Sequence, residues 1–333
     1  MMKNMNKAWL AILLIVLVSG CKKTSAKADK PVNNTGSAFR VIGYLRDFNV
    51  SDGSAASFDF SKINYLNIAF INPDQDGNFS ALAGLDAVVT LAHAKNVKVL
   101  VSIGGGSAPA YYSSLLADAK RTDFINKLVK LVSDSHLDGI DVDLEGERVD
   151  GNYEAFITGL SAALKPNGKL LTAAIATAYK SQYSDKALSL MDFVNIMSYD
   201  KTGPWNPANA GQHSPYEMAV SDLDYWSNTR GIAKEKLSLG VPFYGYGFGQ
   251  NAPADISFQD LVNQYPGAQN TDQVNVTGGG TIYYNGIPTI KNKTTLALNK
   301  AGGIMIWQLF QDASGDKSLL NAISVTISSA GKR

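Results

Sequence analysis

Short runs of β-branched and aromatic residues alternate with longer amphipathic stretches from residue 39 onward. The short runs predict strands, whereas apolar residues at three- and four-residue spacing in the longer stretches predict helices. Four of the helical segments are "LDAVVTLAHAKN", "RTDFINKLVKLVSDS", "NYEAFITGLSAALKP" and "EMAVSDLDYWSNTR". The eight predicted strands cover residues 39–45, 63–71, 97–105, 137–145, 169–177, 191–199, 236–244 and 302–310. Regular alternation of strand and helix is typical of the α/β class.

The number of strands favours a closed barrel over an open sheet. A doubly wound sheet more often has five or six strands and a glycine-rich first turn, and no G-x-G-x-x-G follows the first strand here. We therefore predict an α/β fold of the (β/α)8 TIM barrel type over residues 39–330. Residues from about 249 to 300, between the seventh and eighth strands, predict a small excursion with a helical piece, "SFQDLVNQY", and a strand or hairpin, "GGTIYYNGIPTI".

The amino terminus has the order of a secretory signal. Lys3 and Lys7 precede an apolar stretch over residues 8–18, which is too short to span a membrane comfortably. The following "LVSGC" resembles the lipobox of bacterial lipoproteins, which implies a signal peptide over residues 1–20 and a lipidated Cys21. The alternative is a cleaved signal that leaves a stray thiol. Residues 21–38 are polar, which predicts a flexible linker.

The resemblance also implies a location. A lipoprotein of this kind is attached to the bacterial cell envelope, and Lys22 stands where aspartate would mark inner-membrane retention in enteric bacteria. We therefore expect a lipid anchor in the outer membrane or at the cell surface.

Composition excludes several classes of function. The 333 residues carry a net charge of +1 with scattered basic residues, so nucleic acid is not an expected partner. Cys21 is the only cysteine, which excludes an intramolecular disulfide and a cysteine nucleophile within the barrel. His93, His136 and His213 lie far apart in the sequence, so we expect no metal and no cofactor. We expect a monomer with an uncharged partner.

The segment "LDGIDVDLEG", residues 137–146, concentrates acids in an apolar run. In a strand, Asp141, Asp143 and Glu145 point to one face at steps of about 6.6 Å, and Glu145 lies at the carboxyl end, where barrel enzymes place their chemistry. Three stacked carboxyl groups cannot all be ionised cheaply, so at least one holds a proton near neutral pH. This arrangement predicts a general acid, with Glu145 as the donor nearest the mouth.

Two structural alternatives remain for these acids. The run opens like a calcium-binding EF-hand loop, but its twelfth position is Asn152 and not glutamate, and the alternating apolar residues favour a strand. An inert, hydrogen-bonded acidic row is the second alternative. Asp138 has the opposite parity, so we expect it to support the strand entrance or the barrel wall, with an indirect role in catalysis.

Four motifs in order resemble those of one family. The spacing D-x-x-D-x-D-x-E over residues 138–145 resembles the fourth-strand signature of glycoside hydrolase family 18, the chitinases and endo-β-N-acetylglucosaminidases. "SIGG" (102–105), "MSYD" (197–200) and "GGIMIWQL" (302–309) resemble the motifs of its third, sixth and eighth strands. The resemblance covers residues 39 to about 312.

The family resemblance implies retaining hydrolysis of a β-1,4 bond next to an N-acetylglucosamine. The acetamide of the substrate acts as the nucleophile in this family, so no carboxylate nucleophile is required. Glu145 would be the general acid and base, and Asp143 would orient the acetamide N–H. Asp141 would be the buried proton partner of Asp143, and the hydroxyl of Tyr199 would contact the acetamide oxygen.

Further residues are candidates for sugar binding. The resemblance assigns Asp200 to holding the sugar and Trp307 to the floor on which it stacks, although each could simply end or fill a strand. Met197 belongs to the same motif as Asp200. Tyr44 and Trp205 are additional candidates, for which packing in the core or in a loop is the alternative. "GVPFYGYGF" departs from the family's "GVPFYGR" because Tyr246 stands where arginine is common.

Three functions are compatible with these residues. The first is a chitinase acting on chitin or chito-oligosaccharides, which the loop after the sixth strand favours. The second is an endo-β-N-acetylglucosaminidase acting on N-glycans. The third is a glycan-binding lipoprotein without turnover, a kind of member that typically lacks the terminal glutamate. The modest excursion implies an open cleft and endo-type or short-oligosaccharide cleavage.

Overall fold

A computed structural model describes residues 38–332. The predicted signal peptide, the lipidated Cys21 and nearly all of the predicted linker lie outside the described residues. Within residues 38–332, no helix combines the length and the apolar character that crossing a membrane would need.

Eight parallel strands close into a barrel in the order β1-β12-β7-β6-β5-β4-β3-β2. This confirms the predicted (β/α)8 TIM barrel, and each barrel strand overlaps one predicted strand. The barrel and the inserted strands together, in chain order, are β1 (Arg40–Arg46), β2 (Tyr65–Ala69), β3 (Lys98–Gly104), β4 (Gly139–Asp143), β5 (Leu170–Ile175), β6 (Phe193–Ile196), β7 (Leu237–Pro242), β8 (Tyr244–Phe248), β9 (Asp255–Ser257), β10 (Gln273–Asn275), β11 (Thr281–Tyr283) and β12 (Gly303–Trp307).

Helices follow the strands and cover the outside of the barrel. In α2, for example, the buried residues Leu85, Val88, Val89 and Ala92 recur at the spacing that predicted this helix. The α-helices are α1 (Asp47–Ser51), α2 (Leu85–His93), α3 (Tyr112–Leu116), α4 (Asp118–Asp134), α5 (Tyr153–Leu164), α6 (Asp185–Leu190), α7 (Tyr216–Asp224), α8 (Phe258–Gln264), α9 (Ile287–Lys300) and α10 (Leu319–Ser329).

The excursion after β7 contains a four-stranded antiparallel sheet in the order β10-β11-β8-β9. Its bounds differ from the predicted 249–300. The sheet starts earlier, at Tyr244, because the chain leaves the barrel just after Pro242. It ends earlier, because residues 287–300 form α9, which has Pro288 in its first turn and covers the barrel. The predicted strand in "GGTIYYNGIPTI" is therefore limited to Thr281–Tyr283.

The barrel interior combines apolar and polar layers. A small apolar cluster includes Ile42, Phe193 and Met305, separate from the large core between strands and helices. Several polar side chains are also fully buried inside the barrel, namely those of Asn67, Ser102, Asp141, Thr172, Asn195 and Ser238. Since buried polar groups are costly unless they are hydrogen-bonded, these layers indicate where the barrel carries chemistry.

Candidate active site

β4 carries the acidic row into the barrel. It pairs in parallel with β3 and β5, with Asp141 opposite Ser102 and Thr172. The glycine-rich end of β3 packs directly on this strand: the N–H of Gly105 donates to the Asp143 carbonyl at 2.7 Å, and a Cβ on Gly104 would lie 2.2 Å from the same oxygen. Gly104 also has a φ of 105°, so a side chain there would be strained as well as crowded.

Asp141 is the deepest acid and its carboxylate accepts four hydrogen bonds. The donors are the hydroxyls of Tyr44 (2.7 Å), Ser102 (2.7 Å) and Thr172 (2.5 Å), together with the amide of Asn195 (3.4 Å). Burial raises the pKa of Asp141, while these four hydrogen bonds act in the opposite direction. Four strands other than β4 therefore hold the Asp141 carboxylate in place.

Asp143 lies above Asp141 in a poorer environment. It is buried, and its Oδ1 has no hydrogen-bond partner within residues 38–332. Burial, followed by the negative charges of Glu145 and Asp141, raises the pKa of Asp143 well above its usual value. Two carboxylates that face each other in a dry interior share a proton more readily than they ionise together. The arrangement therefore stores a proton beneath Glu145.

Glu145 follows β4 and begins the 3-10 turn Gly146–Arg148. Its side chain is half-buried. Burial, followed by the negative charge of Asp200, raises the pKa of Glu145 to about 7. A carboxyl group with this pKa is still substantially protonated at neutral pH, which a general acid requires.

The segment after β6 brings Tyr199 and Asp200 to the same end of the barrel. Tyr199 is 9% exposed, and its hydroxyl lies 3.9 Å from the Met305 sulfur. Burial, followed by the charges of Asp143 and Asp200, raises the pKa of Tyr199, so its hydroxyl stays a neutral donor. Asp200 has a φ of 62°, a left-handed conformation that aspartate tolerates better than most residues.

Met197 and Asp200 also line a groove beside the acids. The groove encloses about 640 Å³, and Tyr199 forms part of its wall. Its other walls come from residues 176–178, just after β5, and from α7. The three residues of the "MSYD" motif that were predicted as site residues therefore share one concavity.

Trp307 ends β12 and lies partly buried on two aromatic rings. It stacks on Phe70 with ring centroids 5.5 Å apart and an interplanar angle of 25°, and its ring is 5.6 Å from that of Tyr44. Sequence analysis missed Phe70, although the aromatic residue at the end of "INYLNIAF" was a usable signal. Both aromatic residues stand at the carboxyl ends of their strands, beside the acidic row.

Tyr44 lies deeper than the predicted sugar contact. It is 1% exposed and donates its hydroxyl to Asp141, so this side chain contacts the acidic row and leaves almost no surface for a ligand. Trp205, by contrast, is 61% exposed. Its ring meets that of Tyr246 edge-on at 5.1 Å, at the rim of the site.

Asp138 stands at the opposite end of β4 from Glu145. Its carboxylate accepts hydrogen bonds from the Val99 amide (2.8 Å), from Lys98 Nζ (2.8 Å) and from His93 Nε2 (2.7 Å). Burial opposes ionisation, but these hydrogen bonds lower the pKa of Asp138 below its usual value. It supports the strand entrance as predicted, whereas the expected indirect role in catalysis has no contact to carry it.

The calcium-binding alternative for the acids is wrong, because Asp141 and Asp143 belong to a barrel strand and not to a loop. Within residues 38–332, no three His, Cys, Asp or Glu side chains are grouped so that they could hold a metal ion. The missed partners of the acids share one feature: each is a polar residue of inward parity in an apolar strand. They are Ser102, Thr172 and Asn195.

Comparison with known proteins gives a consistent picture. The sequence profile of the glycosyl hydrolases family 18 matches residues 40–312. The GH18 chitinase ChiB from the chitin utilization locus of Flavobacterium johnsoniae has a similar structure, with a TM-score of 0.81 and 36% identity over 88% of this chain and 96% of that one. A chitinase from Bacteroides thetaiotaomicron has a TM-score of 0.79 and 29% identity, covering 89% of this chain and 99% of that one.

Two curated sequence relatives are matched over only part of their length. A chitinase-like effector of Moniliophthora perniciosa is 28% identical over 281 residues, which are 70% of this chain and 64% of that protein. An endochitinase of Brugia malayi is 27% identical over 280 residues, which are 75% of this chain and 54% of that protein. The match thus spans between about half and two thirds of the length of these curated relatives.

Proposed function

Because the chain belongs to glycosyl hydrolase family 18, we propose that it is a glycosidase that cleaves the β-1,4 bonds of chitin or chito-oligosaccharides with retention of configuration. The observation that carries this proposal is the position of Glu145. It stands above two buried acids at the carboxyl end of the barrel, and burial and Asp200 raise its pKa to about 7. It acts as a monomer and needs no cofactor.

Glu145 protonates the glycosidic oxygen as the bond to the anomeric carbon breaks. The carbonyl oxygen of the substrate's own acetamide attacks that carbon, and the leaving sugar departs as an alcohol. Water then attacks the same carbon and opens the cyclic intermediate. Glu145, now a carboxylate, takes up the proton of that water and returns to its starting state.

The remaining acids support the acetamide during this step. Asp143 accepts the acetamide N–H, which becomes more acidic as positive charge develops on the ring that forms. Asp141 lies beneath it and takes part in holding the shared proton while Asp143 faces the sugar. The neutral hydroxyl of Tyr199 donates to the acetamide oxygen, and Trp307 on Phe70 supports the apolar face of the sugar.

Two observations favour chitin over an N-glycan as the substrate. The 36% identical structural neighbour is named as a chitinase from a chitin utilization locus. In addition, Trp205 is exposed and its ring meets that of Tyr246 at the rim, where a second sugar of a linear chain can stack on it. The inserted sheet is small, which supports an open cleft and endo-type cleavage.

Replacing the acid tests the proposal directly. Glu145→Gln keeps the shape of the side chain but removes the proton donor, so kcat on a chromogenic chitobioside should fall by about 10³-fold or more with substrate binding retained. Glu147→Gln is the matched control, since that side chain is 95% exposed two positions away. Near-native turnover by Glu145→Gln would exclude this residue as the acid.

A product profile separates the alternatives. We expect the unaltered protein to shorten chito-oligosaccharides and to leave the glycans of a high-mannose glycoprotein intact. Release of those glycans would instead establish an endo-β-N-acetylglucosaminidase. Binding of chito-oligosaccharides without any cleavage would establish a glycan-binding protein without turnover.

A further inference from the structure

Asp200 has an unusual set of neighbours for a carboxylate. The Tyr244 hydroxyl donates to its Oδ1 at 2.5 Å, and His213 Nδ1 lies 3.3 Å from the same oxygen. Among residues 38–332, neither lysine nor arginine comes within ion-pair distance of this carboxylate. Its side chain is 42% exposed, so solvent is the alternative environment toward which it could turn.

Three aromatic rings form a cage on one side of Asp200. His213 is fully buried, and its ring centroid lies 5.0 Å from that of Tyr244 and 4.9 Å from that of Tyr246. The two tyrosine rings meet edge-on at 5.4 Å. Burial, followed by the charge of Asp200, raises the pKa of both tyrosine hydroxyls, which therefore remain neutral donors. The cage therefore contacts the carboxylate through a tyrosine hydroxyl and an imidazole.

The charge of Asp200 acts on the proposed acid. It is the second cause, after burial, of the raised pKa of Glu145. The cage contains neither lysine nor arginine, whereas a permanent cation in the same place would cancel part of this repulsion. Other titratable or charged groups face Asp200 or share its groove, and they come from the segment after β6, from β8 and from α7: Tyr199, Lys201, His213, Glu217, Asp222, Tyr244 and Tyr246.

We propose that His213 and Tyr244 are positioning residues that hold Asp200 toward Glu145, that the ring of Tyr246 packs on both and closes the cage, and that this cage sets the pH range of turnover. The inference rests on the proposed function, because it concerns the protonation of the same acid. Tyr246 is the member best suited to a test, since it is only partly buried and contacts Asp200 from the rim.

The experiment compares pH profiles of kcat/KM on a chromogenic chitobioside. Tyr246→Arg places a cation beside Asp200, so the pKa of Glu145 should fall and the basic limb of the profile should move to lower pH by about one unit. Tyr246→Phe is the matched control without charge, and its basic limb should stay within about 0.3 units of that of the unaltered protein. Thermal unfolding of each variant reports whether the fold is retained.

A second pair of variants tests the cage independently. His213→Leu removes the nitrogen that faces Asp200, so the carboxylate turns to solvent and the basic limb should again move to lower pH. His213→Asn retains a side-chain donor and should restore most of the original profile. If His213 served only in packing, both variants would be less stable, but the basic limb of the pH profile of the enzyme that remains folded would be unchanged.

The outcomes distinguish this inference from the proposed function. If the unaltered protein cleaves the chitobioside but both Tyr246→Arg and His213→Leu keep its basic limb, the inference is wrong and the function stands. An equal shift in Tyr246→Phe and Tyr246→Arg also overturns it, because charge would then not be the cause. Absence of hydrolysis by the unaltered protein would overturn both.

Discussion

Asp141, Asp143 and Glu145 have the same chemistry but three different environments. Asp141 accepts four hydrogen bonds, Asp143 has a buried oxygen without a partner in the described part of the chain, and Glu145 is half-buried. Burial raises the pKa of all three carboxyl groups, but only at Asp141 do hydrogen bonds act against this rise. A row of acids can hold one mobile proton because its members are unequal.

Tyr44 allows the lower end of this row to be tested. Tyr44→Phe removes a hydroxyl that donates to Asp141 at 2.7 Å. A hydrogen bond to a charged group contributes about 1.5–3 kcal/mol, so kcat should fall by roughly ten- to hundredfold. KM should change little, because the ring lies beneath the sugar site. Steady-state kinetics on a chito-oligosaccharide check this.

The control for this change is Tyr216→Phe, whose side chain is exposed on α7. It should keep both kinetic constants. A raised KM with an unchanged kcat in Tyr44→Phe would instead support the sugar contact that the sequence predicted for this residue.

At the level of elements, α9 fixes the segment that carries His213, one member of the aromatic cage. Lys293 is fully buried and donates to the carbonyl (2.6 Å) and hydroxyl (2.6 Å) of Ser214 and to Asn285 Oδ1 (2.7 Å). The Ser214 hydroxyl in turn donates to the Ser198 carbonyl at 2.6 Å. One side chain of α9 thus joins the end of β6 to the loop that contains His213.

Lys293 also predicts a dependence of stability on pH. Burial lowers its pKa from 10.5 to about 7 in the folded protein. Between these two values the unfolded chain binds more protons, so the free energy of unfolding should rise as the pH increases from about 7 toward 10. Lys293→Met should lose this rise, and it should lose about 1–3 kcal/mol of stability because three acceptors are left unsatisfied.

Urea unfolding at pH 7 and at pH 9.5 measures both effects. Lys291→Met, on the exposed side of the same helix, is the control and should resemble the unaltered protein at both pH values. An unchanged pH dependence in Lys293→Met would show that another group causes it.

At the scale of the whole molecule, we propose that the barrel is attached to the bacterial cell envelope through a lipid on Cys21. The support lies in the order of residues 1–38: basic residues, an apolar stretch, the cysteine and a polar linker. A tether of this composition lets an anchored enzyme reach a polymer outside the outer membrane or cell surface.

Cys21→Ala tests the anchor. The unaltered protein should incorporate a radiolabelled fatty acid and partition into detergent, whereas the variant should do neither. Activity per molecule on soluble oligosaccharides should be the same in both, because the barrel begins after the linker. Labelling of Cys21→Ala, or an unaltered protein that stays unlabelled in a bacterial host, would contradict the proposal.

Local pattern alone determined a large part of this protein. The period of two in "GIDVDLE" placed Asp141 and Asp143 on one face, and the alternation of strand and helix predicted eight βα units. These features depend only on neighbours in the chain, which is why sequence analysis predicted the barrel and the acidic row. The bounds of the excursion were less accessible, because β8 pairs with β9 and β11 only after the chain has left the barrel.

Closure of the barrel decided the rest. Tyr44, Thr172 and Asn195 lie 97, 31 and 54 positions from Asp141, and they meet it because parallel strands bring their inward faces onto one axis. The same closure excludes water, so it decides which carboxyl group is stabilised by hydrogen bonds and which keeps a proton. The sequence by itself determined which residues could point inward, and the tertiary structure decided which partners and how much solvent each of them meets there.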